Sequence, residues 1–309
     1  MNDLYYGEII IKETGEIGDG LVLTQPENYV VIHKESVAKK RDYLVQRRNA
    51  DAFSSLAGRF TFTLATTIKE LNLDKRFTQA EKSRIMFLGS YVNYKEKGSF
   101  LMFDNGRYIL KKHLQDLLEI KNRKEFYQFY NKLVNTKIIM EDVQDKKNTK
   151  LIWSKKYHFR GTVTKTLQKE LNLIKTFDKQ VRVLYKEKLD NGKAEHTPHN
   201  LYYLFMLLPY VHLQANIICK YPDREINESV PFTVTELAKE LGFKRSNDLK
   251  RKLFGITLKG LPVFSTIQNA YLFHILVNPF IVRRSRKSPS EDLLFHFKDT
   301  AERLSSKTR

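Results

Sequence analysis

The stretch KNRKEFYQFYNKLVN (residues 121–135) contains the most regular hydrophobic pattern of the chain. Its apolar side chains recur at intervals of three and four residues, which places them along one side of an α-helix: Phe126, Phe129, Tyr130, Leu133 and Val134. The opposite side and the N-terminal end carry cationic and amide side chains. This pattern predicts an amphipathic helix that packs on a core and exposes a polar side.

The residues around this helix predict a small unit of three helices and a hairpin. Thr78 and Glu81 have the spacing of a capping box, which marks the start of a helix. The predicted elements are a helix from about Phe77, a strand at 100–103, a helix at 110–119, the helix above, and a hairpin of 137–140 with 150–153. Helix, strand, helix, short turn, helix, hairpin is the order of a winged helix-turn-helix.

The same order recurs in the second half of the chain. Thr233 and Glu236 repeat the capping-box spacing, and Gly242 fits the C-terminal stop of the helix that they begin. The predicted elements are a long apolar helix at 200–221, a short extended stretch at 230–232, a helix from 233, a helix containing Leu249, Leu253 and Phe254, and a hairpin of 261–264 with 271–276. The repeat is one of architecture, with little residue identity.

The first 50 residues form an opening region of different character. Residues 8–11, 21–23 and 29–32 are predicted as short strands, because turn-forming Gly and Pro residues separate them. A basic stretch follows, which is either a helix that touches phosphates or a solvated connector: Lys34, Lys39, Lys40, Arg41, Arg47 and Arg48.

The predicted fold class is mainly α with short β-hairpins (α+β), built from tandem winged helix-turn-helix domains and a small β-rich N-terminal region. Ser290 is predicted to cap a final helix that docks on the chain or pairs two protomers. The predicted divisions are a β-rich region with a basic connector (1–55), a first winged-helix domain (56–160), a basic linker (161–197), a second winged-helix domain (198–288) and a C-terminal amphipathic helix (289–309).

Charge is the most informative bulk property. The 309 residues include 54 Lys and Arg against 35 Asp and Glu, a net charge of +19, so a polyanion such as nucleic acid is the expected partner. The single cysteine, Cys219, excludes an internal disulfide framework. Neither a membrane-spanning apolar run nor a secretory signal is recognised, and a cytoplasmic protein is expected.

The sequence does not nominate an enzyme, a cofactor or a metal site. It contains no phosphate-binding Gly-rich loop ending in Lys-Ser or Lys-Thr, and no histidine has an arginine three residues later. His196 and His199 form the one close histidine pair, which is predicted to lie in a loop and not to hold a metal. His158 and His274 are expected to be packing histidines, and Cys219 a small apolar residue of its helix.

The polar sides of the two third helices supply the predicted DNA contacts. In a helix-turn-helix, Arg can pair with guanine and Asn or Gln with adenine, while Lys and Tyr contact phosphates. The base-contact candidates are Arg123, Gln128, Asn131, Arg245, Asn247 and Arg251. Further candidates for phosphate or groove contacts are Lys121, Asn122, Lys124, Tyr127, Lys146, Lys147, Lys244, Ser246, Lys250, Arg283 and Arg284.

Two segments carry a resemblance to known proteins. FTQAEKSRIMFL (residues 77–88), with LMFDNG (101–106), resembles helix-turn-helix regulators and replication proteins from phages and plasmids of Gram-positive bacteria. LVNPFI (276–281) is similar to the wing and following Asn-Pro step of plasmid initiators built on winged helices. The resemblance covers roughly residues 75–160 and 230–285.

The resemblance implies a mobile-element protein that binds repeated double-stranded DNA sites, at an origin as a replication initiator or at an operator as a transcriptional regulator. Such initiators often bind repeats as monomers and repress their own promoter as dimers, so a homodimer is a further expectation. After the first hairpin, HFRG (158–161) replaces the Asn-Pro step, which leaves open whether both units bind DNA or one dimerises. The rivals are an interaction protein that binds a host replication or transcription factor, and a nuclease with carboxylates from distant positions.

Overall fold

The computed structural model describes residues 5–11, 17–22, 29–32, 34–93, 99–143, 148–161, 163–164, 172–268 and 273–306. The chain is α+β, with 45% of residues helical and 20% in strands. It divides into two compact units, Met1–Phe53 and Ser54–Arg309. Both predicted winged-helix regions lie within the second unit.

The first unit contains a three-stranded antiparallel sheet. Its central strand pairs with the other two, in the order β2-β1-β3. The strands are β1 (Tyr5–Ile11), β2 (Ile17–Val22) and β3 (Tyr29–Ile32). The basic stretch that follows is helical: α1 (Lys34–Ala57) begins in the first unit and ends in the second.

The first half of the second unit follows the predicted element order closely. The elements are β4 (Phe60–Leu64), α2 (Ala65–Leu73), α3 (Gln79–Gly89), α4 (Lys111–Leu117), α5 (Arg123–Asn135), β5 (Ile139–Val143), β6 (Thr149–Trp153) and β7 (His158–Phe159). The predicted capping box of Thr78 and Glu81 is confirmed at the start of α3. Strands β5 and β6 pair antiparallel, which confirms the first hairpin.

The second half repeats the order of helices before a hairpin. The elements are β8 (Leu173–Phe177), α6 (Asp178–Lys186), α7 (Pro198–Leu207), α8 (Val234–Glu240), α9 (Ser246–Phe254), β9 (Thr257–Leu258), β10 (Leu261–Pro262), β11 (Phe264–Gln268), β12 (Phe273–Val277), β13 (Val282–Arg283), α10 (Glu291–His296) and α11 (Lys298–Ser305). The second capping box, Thr233 with Glu236, is confirmed, and Gly242 ends α8 with a positive φ of 72°.

A four-stranded antiparallel sheet joins the two halves of the second unit. Its order is β13-β8-β4-β7, so β8 lies between β4, which comes before α2, and β13, which follows the second hairpin. Helix α3 of the first half packs on α7 of the second. One buried hydrophobic cluster contains side chains from both halves, because the helices share this central face.

The predicted basic linker is corrected by this sheet. Residues 161–197 include β8, which lies between β4 and β13, and α6, whose Val181 and Leu184 are buried. The physical reason is that β8 pairs with strands more than a hundred positions away in the sequence, which local periodicity cannot reveal. Strand β8 and helix α6 of this segment are part of the core.

Two predicted elements have different bounds. The apolar helix at 200–221 ends at Leu207 and gives way to a 3₁₀ turn containing Pro209, because proline cannot donate to the helical ladder. Cys219 is buried as predicted, but in an extended bridge to Pro231 and not in a helix. The second hairpin is β11–β12, since Leu261 and Pro262 turn back onto β9.

The predicted C-terminal helix is a pair of short helices. Ser290 caps α10 as expected, accepting a hydrogen bond from the amide of Leu293. Phe297 interrupts the helix with φ −126° and is itself buried. Leu293 and Phe297 pack on Leu276 of β12, so the described part of this segment docks on its own chain.

Candidate nucleic-acid interface

Helix α5 is held by its apolar side, as its periodicity predicts. Phe126, Phe129, Tyr130 and Leu133 are buried in the main cluster. Asn122 is the N-cap, and its side-chain oxygen accepts hydrogen bonds from the amides of Lys124 and Glu125, at 2.8 and 3.1 Å. The side-chain oxygen of Asn122 therefore caps the helix, and only the side-chain nitrogen remains for the predicted DNA contact.

Two ion pairs fix the orientation of α5 on α3. Arg84 donates to Glu125 at 2.9 Å, and Lys132 lies 2.8 Å from Glu81, the carboxylate of the capping box. Both pairs use charges at the edges of the buried face. Glu125, the acidic residue of α5, is therefore paired with Arg84 of α3. The outer face of α5 carries no carboxylate of its own.

The outer face of α5 presents a continuous polar stripe. Its exposed members, at helical spacings of three, four and seven residues, are Arg123, Lys124, Tyr127, Gln128 and Asn131, preceded by exposed Lys121. The guanidinium of Arg123 lies 5.6 Å from the ring centre of Tyr127. Among the described residues, no carboxylate lies within ion-pair distance of Lys121, Arg123 or Lys124. The stripe can therefore offer unneutralised donors to a polyanion.

The first hairpin is attached beside this stripe by polar contacts. Tyr130 donates from its hydroxyl to Glu141 at 2.5 Å, and Lys111 lies 2.9 Å from the same carboxylate. These two donors, Tyr130 first, lower the pKa of Glu141 from its ordinary value. Lys150 lies 4.2 Å above the ring of Tyr108. The predicted contacts Lys146 and Lys147, at the tip, lie outside the described residues.

Helix α9 presents a shorter version of the same arrangement. Leu249 and Leu253 are buried, while the exposed set comprises Lys244, Arg245, Asn247, Lys250 and Arg251, with Ser246 half-buried. Arg245 occupies the N-cap without a capping side-chain hydrogen bond. Arg251 lies 3.2 Å from Asp248 on the same helix. The positive charge of this face is therefore partly neutralised by Asp248 of the same helix.

The prediction that Arg283 and Arg284 contact DNA is wrong, because both are buried. Arg283 is 3% and Arg284 1% exposed. Arg283 donates to the carbonyl of Lys287, and Arg284 donates to the carbonyl of Val211 and pairs with Asp223. A buried guanidinium that donates to internal acceptors is shielded from a polyanion. These arginines hold the segment after β12 to the body of the unit.

A second buried arginine cluster, which the sequence did not reveal, lies at the C-terminal end of α3. Arg160 pairs with Asp178 at 2.5 Å and donates to the carbonyl of Ser90 at 3.0 Å, while Arg182 donates to Ser90 and pairs with Asp104. Cations at a helix C-terminus stabilise its carbonyl end. The basic residues here serve the fold, and no local pattern distinguishes them from surface cations.

His158 and His196 are buried and hydrogen-bonded within the protein. Burial lowers the pKa of His158 to about 3, and its Nδ1 accepts from the indole of Trp153 at 3.2 Å. His196 is buried against the backbone of Thr257, and His199 lies in the first turn of α7, not in a loop. Among the described residues, no three metal-ligating side chains converge, and no helix is long and apolar enough to span a bilayer.

Comparisons of this chain with family models, with curated proteins and with solved structures find no match.

Proposed function

We propose that this protein binds double-stranded DNA sequence-specifically, through two winged-helix units, as a replication initiator of a phage or plasmid. The observation that carries the proposal is the polar stripe of α5: cations and amides exposed on one face, with the acidic residue of the helix tied to the opposite side. Such a face can read base edges with Arg123, Gln128 and Asn131 while Lys121, Lys124 and Tyr127 hold phosphates.

The repetition of the arrangement supports a reader with two units. In both halves, a capped helix precedes a third helix with an exposed cationic face, and an antiparallel hairpin follows. A winged helix places the third helix in the major groove and the hairpin beside it. Arg245, Asn247 and Arg251 are then the base readers of the second unit, with Lys244, Ser246 and Lys250 on phosphates.

The positive charge of the chain supports the same partner. A net charge of +19 raises the association rate with any polyanion and makes the affinity depend on salt. If about eight phosphates are contacted, the logarithm of affinity falls against the logarithm of salt concentration with a slope of about −7.

A transcriptional regulator at an operator is the alternative function, since the same surface serves either role. An interaction protein that binds a host replication or transcription factor is the second alternative. The exposed apolar side chains Met140 and Val143 on β5 favour this second alternative, because a protein partner can cover them. The two classes differ in whether the cations of α5 and α9 are required.

The experiment is a genome-wide binding profile of the tagged full chain in its native host. It compares the wild type with the double variant Arg123→Ala/Arg251→Ala. The control variant, Lys155→Ala/Lys298→Ala, removes two exposed cations outside α5 and α9 and so changes net charge equally. The cellular abundance of each variant is compared with that of the wild type to confirm equal expression.

The profiles separate the alternatives. Sharp peaks at repeats beside an origin, lost in the double variant and kept in the control, support the initiator. The same behaviour at promoters supports the regulator. Uniform coverage that neither variant changes overturns sequence-specific binding through these helices and points to a protein partner.

A further inference from the structure

A cavity of about 260 Å³ lies in the second unit, away from the polar faces of α5 and α9. Its walls come from four segments that are distant in sequence: the end of α1, α6, the turn between β9 and β10, and α11. Small-molecule sites are typically concave and largely pre-formed.

The walls of the cavity are fixed by internal hydrogen bonds. Gln180 of α6 is 2% exposed and donates from its side-chain nitrogen to the carbonyl of Ala57, the last residue of α1, at 3.0 Å. On the other side, Arg303 of α11 donates to the carbonyl of Lys259. The cavity is therefore held open by contacts that do not need a ligand, so little ordering is required when one binds.

The lining of the cavity is more apolar than polar, although the buried side chains of Gln180 and Thr300 belong to it. Six of the thirteen lining residues are aliphatic, and they come from all four segments: Leu56, Ala57, Val183, Leu258, Leu261 and Leu304. The volume of the cavity is about 260 Å³. This is slightly below the roughly 300–1,000 Å³ of drug-sized sites. An apolar group of about eight carbons fits the volume and releases poorly bonded water.

The charged residues of the lining are all cationic. Lys179 and Lys259 are exposed, and Arg303 is exposed with one nitrogen bonded to a carbonyl. No aspartate or glutamate belongs to the lining, and the carboxylate of Glu187 accepts a hydrogen bond from the backbone amide of Lys259. An apolar interior with a cationic rim matches a ligand that has an apolar body and an anionic end.

We infer that this cavity is a binding site for a small amphipathic anion, an aliphatic carboxylate of about eight carbons or a molecule of the same shape and charge. The apolar chain lies among Leu56, Val183 and Leu258, and the carboxylate lies between Lys179 and Arg303. The inference is independent of DNA binding, since none of these residues belongs to the interface proposed above.

The test is isothermal titration of the full-length protein with three probes of equal chain length: octanoate, 1-octanol and octylammonium. Octanoate is expected to bind at a single saturable site. Octanol is expected to bind at least about tenfold more weakly because it lacks the charge, and octylammonium to give no saturable heat. Each probe is used below the concentration at which it self-associates.

Variants locate the binding. Lys179→Glu is expected to weaken octanoate at least about tenfold, while Lys112→Glu, an equal charge change at an exposed site outside the cavity, leaves it unchanged. Val183→Trp is expected to fill the interior and abolish binding of every probe, with a melting curve to confirm folding. If that variant does not fold, Lys179→Glu against its control decides.

Three results would overturn the inference. Absence of saturable octanoate binding would show that the cavity holds only solvent. Equal binding of all three probes would show unspecific apolar partitioning. Equal behaviour of Lys179→Glu and Lys112→Glu would place the anion elsewhere on this basic protein.

Discussion

Helices α5 and α9 follow the same architectural order but differ in how their polar faces are prepared. Helix α5 is thirteen residues long, is capped by Asn122, and has its acidic residue paired away from the outer face. Helix α9 is nine residues long, has no side-chain cap, and holds Arg251 beside Asp248. The comparison teaches that two repeats of one architecture need not contribute equally to binding. We therefore expect α5 to do most of the base reading.

The two halves are alike in the ion pairs that their capping boxes make. Glu81 lies 2.8 Å from Lys132, and Glu236 lies 2.5 Å from Lys220. In each half, the glutamate of the capping box also pairs with a lysine from another segment. The contacts of the capping boxes are therefore more alike in the two halves than the polar faces of α5 and α9 are.

The largest expected difference between the halves is in DNA affinity. Arg123→Ala/Gln128→Ala in α5 is expected to weaken specific binding more than Asn247→Ala/Arg251→Ala in α9. Each lost bidentate contact costs about 1–3 kcal/mol, whereas Arg251 is already partly neutralised. Fluorescence anisotropy on a selected duplex measures both. An equal loss would make the halves equivalent, and a larger loss at α9 would reverse the assignment.

Stability distinguishes the halves at two glycines. A Cβ added to Gly89, at the end of α3, would overlap the buried imidazole of His158, whereas one added to Gly255 would meet only the carbonyl of Arg251, at 2.7 Å. We expect Gly89→Ala to destabilise by about 1–3 kcal/mol, as overpacked cores do, and Gly255→Ala to destabilise as well, because the backbone carbonyl of Arg251 would have to shift. Thermal melting of both variants is the measurement. An unchanged melting temperature for Gly89→Ala would contradict the packing of His158 on α3.

The caps provide a smaller contrast. Asn122→Ala is expected to cost about 1 kcal/mol, because two amides of α5 lose their acceptor. Arg245→Asn is expected to gain about 0.5–1 kcal/mol, since it supplies the cap that α9 lacks. Denaturant titration reports both changes. Loss of stability in the second variant would show that Arg245 makes a contact worth more than a cap.

The pH dependence of the second capping box is the smallest expected effect. A hydrogen bond from Lys220, then that from the amide of Thr233, lowers the pKa of Glu236 to about 2 from an ordinary 4.5. The contribution of this carboxylate is therefore complete above about pH 4.5 and is lost as the pH falls towards 2.

Glu236→Gln is expected to lower the denaturation midpoint at pH 7, with the difference from wild type shrinking through that window. Glu228→Gln, at an exposed site, serves as the control. A difference that stays constant from pH 7 to 2 would contradict the ionic role of Glu236.

The elements that were predicted are those whose signals are local. The stripe of α5, both capping boxes and the first hairpin each depend on spacings of two to four residues, which the sequence displays directly. The central sheet was missed because β4 and β8 are separated by more than a hundred residues, and such pairing leaves no local period.

In the candidate interface, too, local signals were predictable from the sequence and tertiary contacts were not. The exposed polar residues of α5 and α9 follow from the buried stripes opposite them, so their exposure was predictable. Arg283 and Arg284 look like a surface run, but tertiary contacts bury them on carbonyls and on Asp223. Asn278 was noticed as part of an Asn-Pro step, yet its hydrogen bonds to Pro262 and Thr300, which tie β12 to α11, could be seen only in the structure.

The central claim is that the exposed stripe of α5 reads DNA sequence. Its most direct test is selection from a pool of random duplexes by the wild type and by Arg123→Ala, at a salt concentration that suppresses unspecific binding. The account predicts one enriched motif for the wild type and relaxed preference at a guanine position for the variant. No enrichment by the wild type, or an identical motif for the variant, would contradict it.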